Sequence, residues 1–193
     1  MRAHLAELLL LLLICVSQGA FAQSAGGNIS VFADPSASSC TLVDAAPVLF
    51  DVFVVHTEMT DTWGMIGARF KLLEGAGFSA SYVSESIAVQ GHVGSVVTGI
   101  GLGYDVCSFG TLLLATVTFQ GYGTSTPCSY LDIGPDPASG GTTAIAQNCF
   151  FDVYLTPSVG KFYVNPEPGQ CPPNCIVATK PTTWGGVKAL YRD

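Results

Sequence analysis

From Asn28 to Val164 short apolar runs alternate with turn residues, the cadence of an all-β chain. Ile29 to Phe32 forms a first run before the Asp34-Pro35-Ser36 turn. From Val48 to Thr57 both alternating sets are apolar, Val48, Phe50, Val52 and Val54 against Leu49, Phe53 and Val55. That predicts a central strand covered on both faces. The next run is two-faced. Ile66, Ala68, Phe70 and Leu72 share one side while Gly67, Arg69 and Lys71 share the other, as in an antiparallel sheet with one wet face. Further strands are expected over 78–83, 87–89, 94–100, 111–119, 129–133, 150–155 and 161–164, about nine in all. The fold class that follows is an antiparallel β-sandwich, cohesin-like or jelly-roll-like in arrangement.

The two ends follow other patterns. Arg2, the apolar run Leu8 to Val16 and Ala20-Phe21-Ala22 have the order of a signal peptide. The run falls short of the roughly 20 residues that span a bilayer, so residues 1–22 are expected to form a helical leader removed on export. Residues 23–165 then form the sandwich, and 166–181 a linker rich in Pro and Cys. In residues 182–193, Trp184, Val187, Leu190 and Tyr191 recur at helical spacing behind Thr183, a fitting N-cap. The segment is expected to be a short helical tail that docks on its own domain or on a partner.

Composition narrows the function. The chain has 193 residues, 49% hydrophobic and 11% charged, with a net charge of -7. Seven Lys and Arg, scattered, cannot build a basic stripe, which excludes nucleic acid as a partner. Of the seven Cys, six remain once the leader and Cys15 are gone: Cys40, Cys107, Cys128, Cys149, Cys171 and Cys175. An even number in an exported chain points to disulfides. The sequence leaves all fifteen pairings open. Cys171 with Cys175 and Cys128 with Cys149 would close compact loops, leaving Cys40 with Cys107. A zinc site on Cys171 and Cys175 would need two more soft ligands, with only His56 and His92 in the mature chain to supply them.

Candidate chemistry is sparse. No Gly-x-Ser-x-Gly elbow, His-Glu-x-x-His pair or Walker loop occurs. Gly99-Ile100-Gly101-Leu102-Gly103 lacks the spacing of a dinucleotide fingerprint and is expected to be a strand end or bulge. Asp132 to Gly141 lacks the ligand pattern of an EF-hand and is expected to be a long turn. No catalytic residue, metal site or cofactor is expected. The enzymatic alternative is a secreted metal-dependent hydrolase using His56, Glu58 and His92, where the plainer reading is solvated histidines near loops. Trp63, in Thr62-Trp63-Gly64, is a candidate for stacking on a sugar, against the alternative of capping the core.

Three stretches carry a family resemblance: Val31-Phe32-Ala33-Asp34-Pro35 leading to Cys40, Trp63-Gly64-Met65-Ile66-Gly67-Ala68-Arg69-Phe70, and Thr111-Leu112-Leu113-Leu114-Ala115-Thr116-Val117-Thr118-Phe119. Their layout resembles bacterial cohesin-like sandwiches. Cys128-Ser129-Tyr130-Leu131-Asp132-Ile133-Gly134-Pro135 and the Thr182-Thr183-Trp184-Gly185-Gly186-Val187-Lys188-Ala189-Leu190-Tyr191-Arg192 tail look like segments of small exported bacterial proteins. The resemblance implies a non-enzymatic module that is secreted, periplasmic or held at the cell surface. It would bind an extracellular protein, a surface protein or a glycan, or build an extracellular layer. Cohesins bind dockerins, but no cohesin contact residue maps onto this sequence.

Overall fold

The computed structural model describes residues 26–44, 47–59, 64–141, 143–158 and 160–171. Its first sheet has the order β1-β3-β8-β5, built from Asn28–Phe32 (β1), Val48–Met59 (β3), Gly110–Gly121 (β8) and Ser81–Ile87 (β5). The second uses Thr41–Leu42 (β2), Met65–Glu74 (β4), Ser129–Gly134 (β9), Ile145–Asn148 (β10), Val153–Leu155 (β11) and Phe162–Val164 (β12), in the order β11-β10-β4-β9-β12-β2. Gly99–Ser108 (β7) pairs with β4, and Gly91–Ser95 (β6) pairs with β7. The pairing is antiparallel except between β2 and β12.

The core lies between the sheets. β3 contributes Val52 and Val54, β4 Ala68, Phe70 and Leu72, β8 Val117 and Phe119, all buried. A smaller apolar cluster of Phe32, Ala37, Cys40 and Val55, with Phe53 and Leu113 packed against it, is separate from this core. Val54 belongs to the main core and its neighbour Val55 to the smaller cluster, so the latter lies on the outer face of the first sheet.

β4 organises the second sheet. Its first half pairs with β10 and β7, and its second half with β9. β9 and β10 run antiparallel to β4 in succession: Gly134 faces Lys71 and Ile145 faces Arg69. They amount to one strand interrupted opposite Phe70 by the excursion 135–144. That excursion contains a single 3-10 turn, Pro137–Ser139, capped by Asp136.

The all-β, two-layer expectation holds, and so does the alternation in β4. Other expectations change. There are twelve strands among the described residues, because β2 and β10 lack a run of alternating apolar side chains and in β7 the apolar Ile100, Leu102 and Tyr104 alternate with glycine. The strand expected over 94–100 is split into the end of β6, a turn over 96–98 and the start of β7, and the one over 78–83 shifts to β5. Phe150 and Phe151 sit in the turn before β11, where Asn148 Oδ1 accepts the amides of Phe150 and Asp152 at 2.9 and 2.8 Å. The pairing of β3 confirms it as internal, yet Val48 and Leu49, which point to opposite faces, are both exposed, so the start of the strand is covered on neither side. The expected leader helix, the linker beyond 171 and the helical tail lie outside the described residues.

The sulfur pairing differs from each compact closure. Cys107 joins Cys149, and Cys128 joins Cys171. Cys40 is disulfide-bonded as well. Antiparallel pairing through β4 brings the end of β7 beside the turn after β10, and the Cys128–Cys171 bond fastens the chain after β12 to the loop before β9. With Cys171 bonded to Cys128, the zinc alternative on Cys171 and Cys175 is lost.

Candidate functional site

The outer face of the second sheet carries a trough of about 840 Å³. Its floor follows from register. One cross-strand row reads Gly91, Gly103, Gly67, Gln147, Val153, and the next reads Val93, Gly101, Arg69, Ile145, Leu155. The middle of the first row is Gly103, Gly67 and Gln147; the middle of the second is Gly101, Arg69 and Ile145, while Val93, 82% exposed, and Leu155, 66% exposed, stand at its opposite edges. The result is a strip of bare backbone at Gly103, Gly67 and Gly101, with Arg69, Ile145 and Gln147 beside it and the apolar Val93 and Val153 at its edges.

Two of these glycines have no conformational reason to be glycine. Gly101 and Gly103 have ordinary negative φ, and an added Cβ would meet its nearest neighbour at 3.6 and 3.8 Å, ordinary contact. At Gly67 a Cβ would come within 2.7 Å of the Leu102 carbonyl, so there the close approach of β7 requires glycine. The openness of the floor over β7 is therefore not imposed by the fold.

Arg69 is the fixed polar group of the trough. Its Nε and Nη2 both donate to Asp136 Oδ2, at 2.9 and 2.8 Å, while Asp136 Oδ1 accepts the Ala138 amide at 3.0 Å. Asp136 is buried and Arg69 is about half exposed. The excursion between β9 and β10 thus holds the guanidinium from one side and leaves its other hydrogens toward the trough. Arg69, Lys71 and Lys161 are the Lys and Arg of the described residues. Lys161 lies over the Tyr130 ring at 3.5 Å.

One end of the trough is fixed covalently. The Cys107–Cys149 bond crosses the start of β4 at Gly64, where an added Cβ would lie 2.7 Å from Cys107 Sγ and φ is +29°. The turn after it is stitched by Asn148 and by Gln147 Nε2 donating to the Phe151 carbonyl at 3.1 Å.

The expected candidates fare differently. His92 lines the trough. His56 does not: it is wholly buried, which corrects the expectation of a solvated histidine. Its Nε2 donates to the Gly26 carbonyl at 2.7 Å, so its Nδ1 accepts from the Tyr104 hydroxyl at 2.8 Å. Burial pushes its pKa down to about 4, against the Gly26 hydrogen bond, which raises it. Burial also pushes the Tyr104 hydroxyl up. Both nitrogens of the neutral ring are committed, and His56 has no free lone pair for a metal. Among the described residues no three His, Cys, Asp or Glu side chains gather as a metal site would require. Glu58 lies at the end of β3. Trp63, Cys175, Trp184, Val187, Leu190 and Tyr191 lie outside the described residues. The trough itself escaped the sequence because its floor is glycine; the signal within reach was the Gly101 and Gly103 repeat.

No protein-family model and no curated protein matches the sequence. Solved structures do match the fold. The sixth cohesin of Acetivibrio cellulolyticus scaffoldin B, solved in complex with a Cel5 dockerin mutant, has 15% identity and a TM-score of 0.50. The match covers 74% of this chain and 99% of the cohesin. A cohesin module from a Clostridium perfringens family 33 glycoside hydrolase matches at 11% identity and TM-score 0.50, over 73% of this chain and 98% of the module. A type I cohesin–dockerin complex from Clostridium thermocellum, Coh-OlpA with Doc918, matches at 11% and 0.50, over 72% and 98%. The fold is cohesin-like.

Proposed function

We propose that this chain is an exported, non-catalytic binding module that takes a segment of a partner protein across the trough of its second sheet. The observation that carries the reading is the pair of glycines, Gly101 and Gly103, that leave the floor bare where the backbone would accept a side chain. A strip of bare backbone beside Ile145, Val93 and Val153 offers backbone groups and shallow apolar contacts to an incoming peptide or helix, and Arg69 adds one oriented donor for a carbonyl or carboxylate. The cohesin-like fold supports the same reading: two of the matched structures are solved with bound dockerins. Two disulfides and a further disulfide-bonded cysteine, Cys40, in a chain with a leader-like start support export to an oxidising compartment.

A glycan is the weaker ligand for this surface. Among the described residues that line the trough there is no Phe, Tyr or Trp, the rings on which a sugar face stacks. The hydrolase reading loses His56 as a residue for a metal ion, because the ring is enclosed and both its nitrogens are hydrogen-bonded.

Selection of a displayed random-peptide library on the oxidised protein tests the proposal. Enriched peptides are expected to bind the unaltered protein and to lose binding to Gly103→Phe, a folded variant whose trough is filled. Peptides that bind both proteins equally, or a surface that enriches nothing, would remove the trough as the binding site. A parallel screen of soluble oligosaccharides with Trp63→Ala decides the glycan alternative.

A further inference from the structure

Cys40 forms a disulfide, and the four other cysteines among the described residues are bonded to one another. The second sulfur therefore belongs to Cys15 or Cys175. Cys15 falls inside the apolar run that reads as a leader, which leaves Cys175. Chain geometry agrees. β2 and β12 are parallel with Thr41 level with Tyr163, which puts Cys40 level with Phe162. Cys128, bonded to Cys171, donates its amide to the Asn165 carbonyl. Phe162 to Asn165 is three residues of strand, roughly 10 Å. The four steps from Cys171 to Cys175 reach about 13 to 14 Å at full stretch. A chain running back along β12 covers that distance.

The place where Cys40 sits then matters. It belongs to the separate apolar cluster on the outer face of the first sheet, with Phe32, Ala37 and Val55 buried and Phe53 and Leu113 only partly covered. Leu49 lies on the same face of β3, beyond the exposed Asp51 that accepts from Thr118, and is 58% exposed. This is the face opposite the trough. Eighteen residues follow Cys175, and they carry the apolar set Trp184, Val187, Leu190 and Tyr191.

We infer that Cys40 is bonded to Cys175, and that this bond returns the C-terminal segment to the outer face of the first sheet, where its apolar residues seat on Phe53, Leu113 and Leu49. The bond is one the folded chain already holds at Cys40; the inference assigns its other sulfur and the segment that the bond delivers. The tether raises the local concentration of the segment at this face, so even modest apolar contacts are enough to hold it. The inference does not rest on what the trough binds.

Two measurements on the full secreted chain test it. Proteolytic mapping without reduction is expected to find the Cys40 peptide joined to the Cys175 peptide. Cys40 joined to Cys15, joined to a small thiol, or free would overturn the tether. For the seat, Trp63→Phe leaves Trp184 as the single tryptophan. Its emission is expected to be blue-shifted and shielded from acrylamide compared with a synthetic 176–193 peptide. Adding Leu49→Asp, at an exposed position the core does not need, should shift the emission to the red with the thermal transition retained. Solvent-like emission before that change, or a shielded tryptophan indifferent to Leu49→Asp, would overturn the seat.

Discussion

His56 concentrates the acid sensitivity of the molecule in one side chain. Burial lowers its folded pKa to about 4 from an ordinary 6.5, so between those values the unfolded chain binds more protons than the folded one. Stability is therefore full above about pH 6.5 and falls as the pH drops toward 4. The shift corresponds to about 3 kcal/mol over that window. Urea titrations at pH 7.5 and 4.5 check it, and His56→Gln is expected to flatten the difference. Asp44 acts at lower pH. Burial alone would raise its pKa, but hydrogen bonds from Gly123, Ser125 and Thr124 hold it below the ordinary carboxylate value. Its contribution is present above about pH 3.8 and is lost as the pH falls through the depressed folded value. At the trough, Asp136→Ala strips Arg69 of its partner and the Ala138 amide of its acceptor. It is expected to cost about 1 to 3 kcal/mol by denaturant titration.

At the level of elements, β7 separates two kinds of strand glycine. Gly67→Ala, on the neighbouring β4, drives a methyl toward the Leu102 carbonyl and is expected to destabilise by about 1 to 3 kcal/mol. Gly103→Ala, with open space above it, is expected to leave the denaturation midpoint close to that of the unaltered chain. The same contrast explains what the sequence could reveal. β4 was legible because Ala68, Phe70 and Leu72 bury on one side while Gly67, Arg69 and Lys71 face out. β7 was legible only as a strand end or bulge, because a glycine every second residue erases the outward half of the alternation and leaves Ile100, Leu102 and Tyr104 with no polar side to set against them. β10 escaped for a different reason: four residues, Ile-Ala-Gln-Asn, take their strand state from β4 and β11 rather than from their own propensity. The trough depends on register among five strands, which no local pattern encodes. A resemblance of layout reached the fold and stopped there, since the residues that shape the surface belong to this chain.

For the whole molecule, the two described disulfides are interleaved: the loop closed by Cys107 and Cys149 overlaps the one closed by Cys128 and Cys171. Their sequence separations, 42 and 43, place each at about 4 kcal/mol in the chain-entropy account. Because both loops contain 128–149, the two contributions share part of the same restricted chain and should sum to less than twice the single value. Calorimetry of the Cys107→Ser/Cys149→Ser variant, the corresponding Cys128→Ser/Cys171→Ser variant and their combination measures the shortfall. Sequence gave the even number of cysteines but not the partners, because β4 and β12 determine which sulfurs meet.

The interruption opposite Phe70 has a practical corollary. Since the strand resumes on β4 in the proper phase after its detour, the detour between Ser139 and Thr143 can lengthen without dislodging either half. A reporter, an affinity handle or a loop from another protein spliced there would be displayed beside the trough, provided the carboxylate that grips Arg69 stays in place.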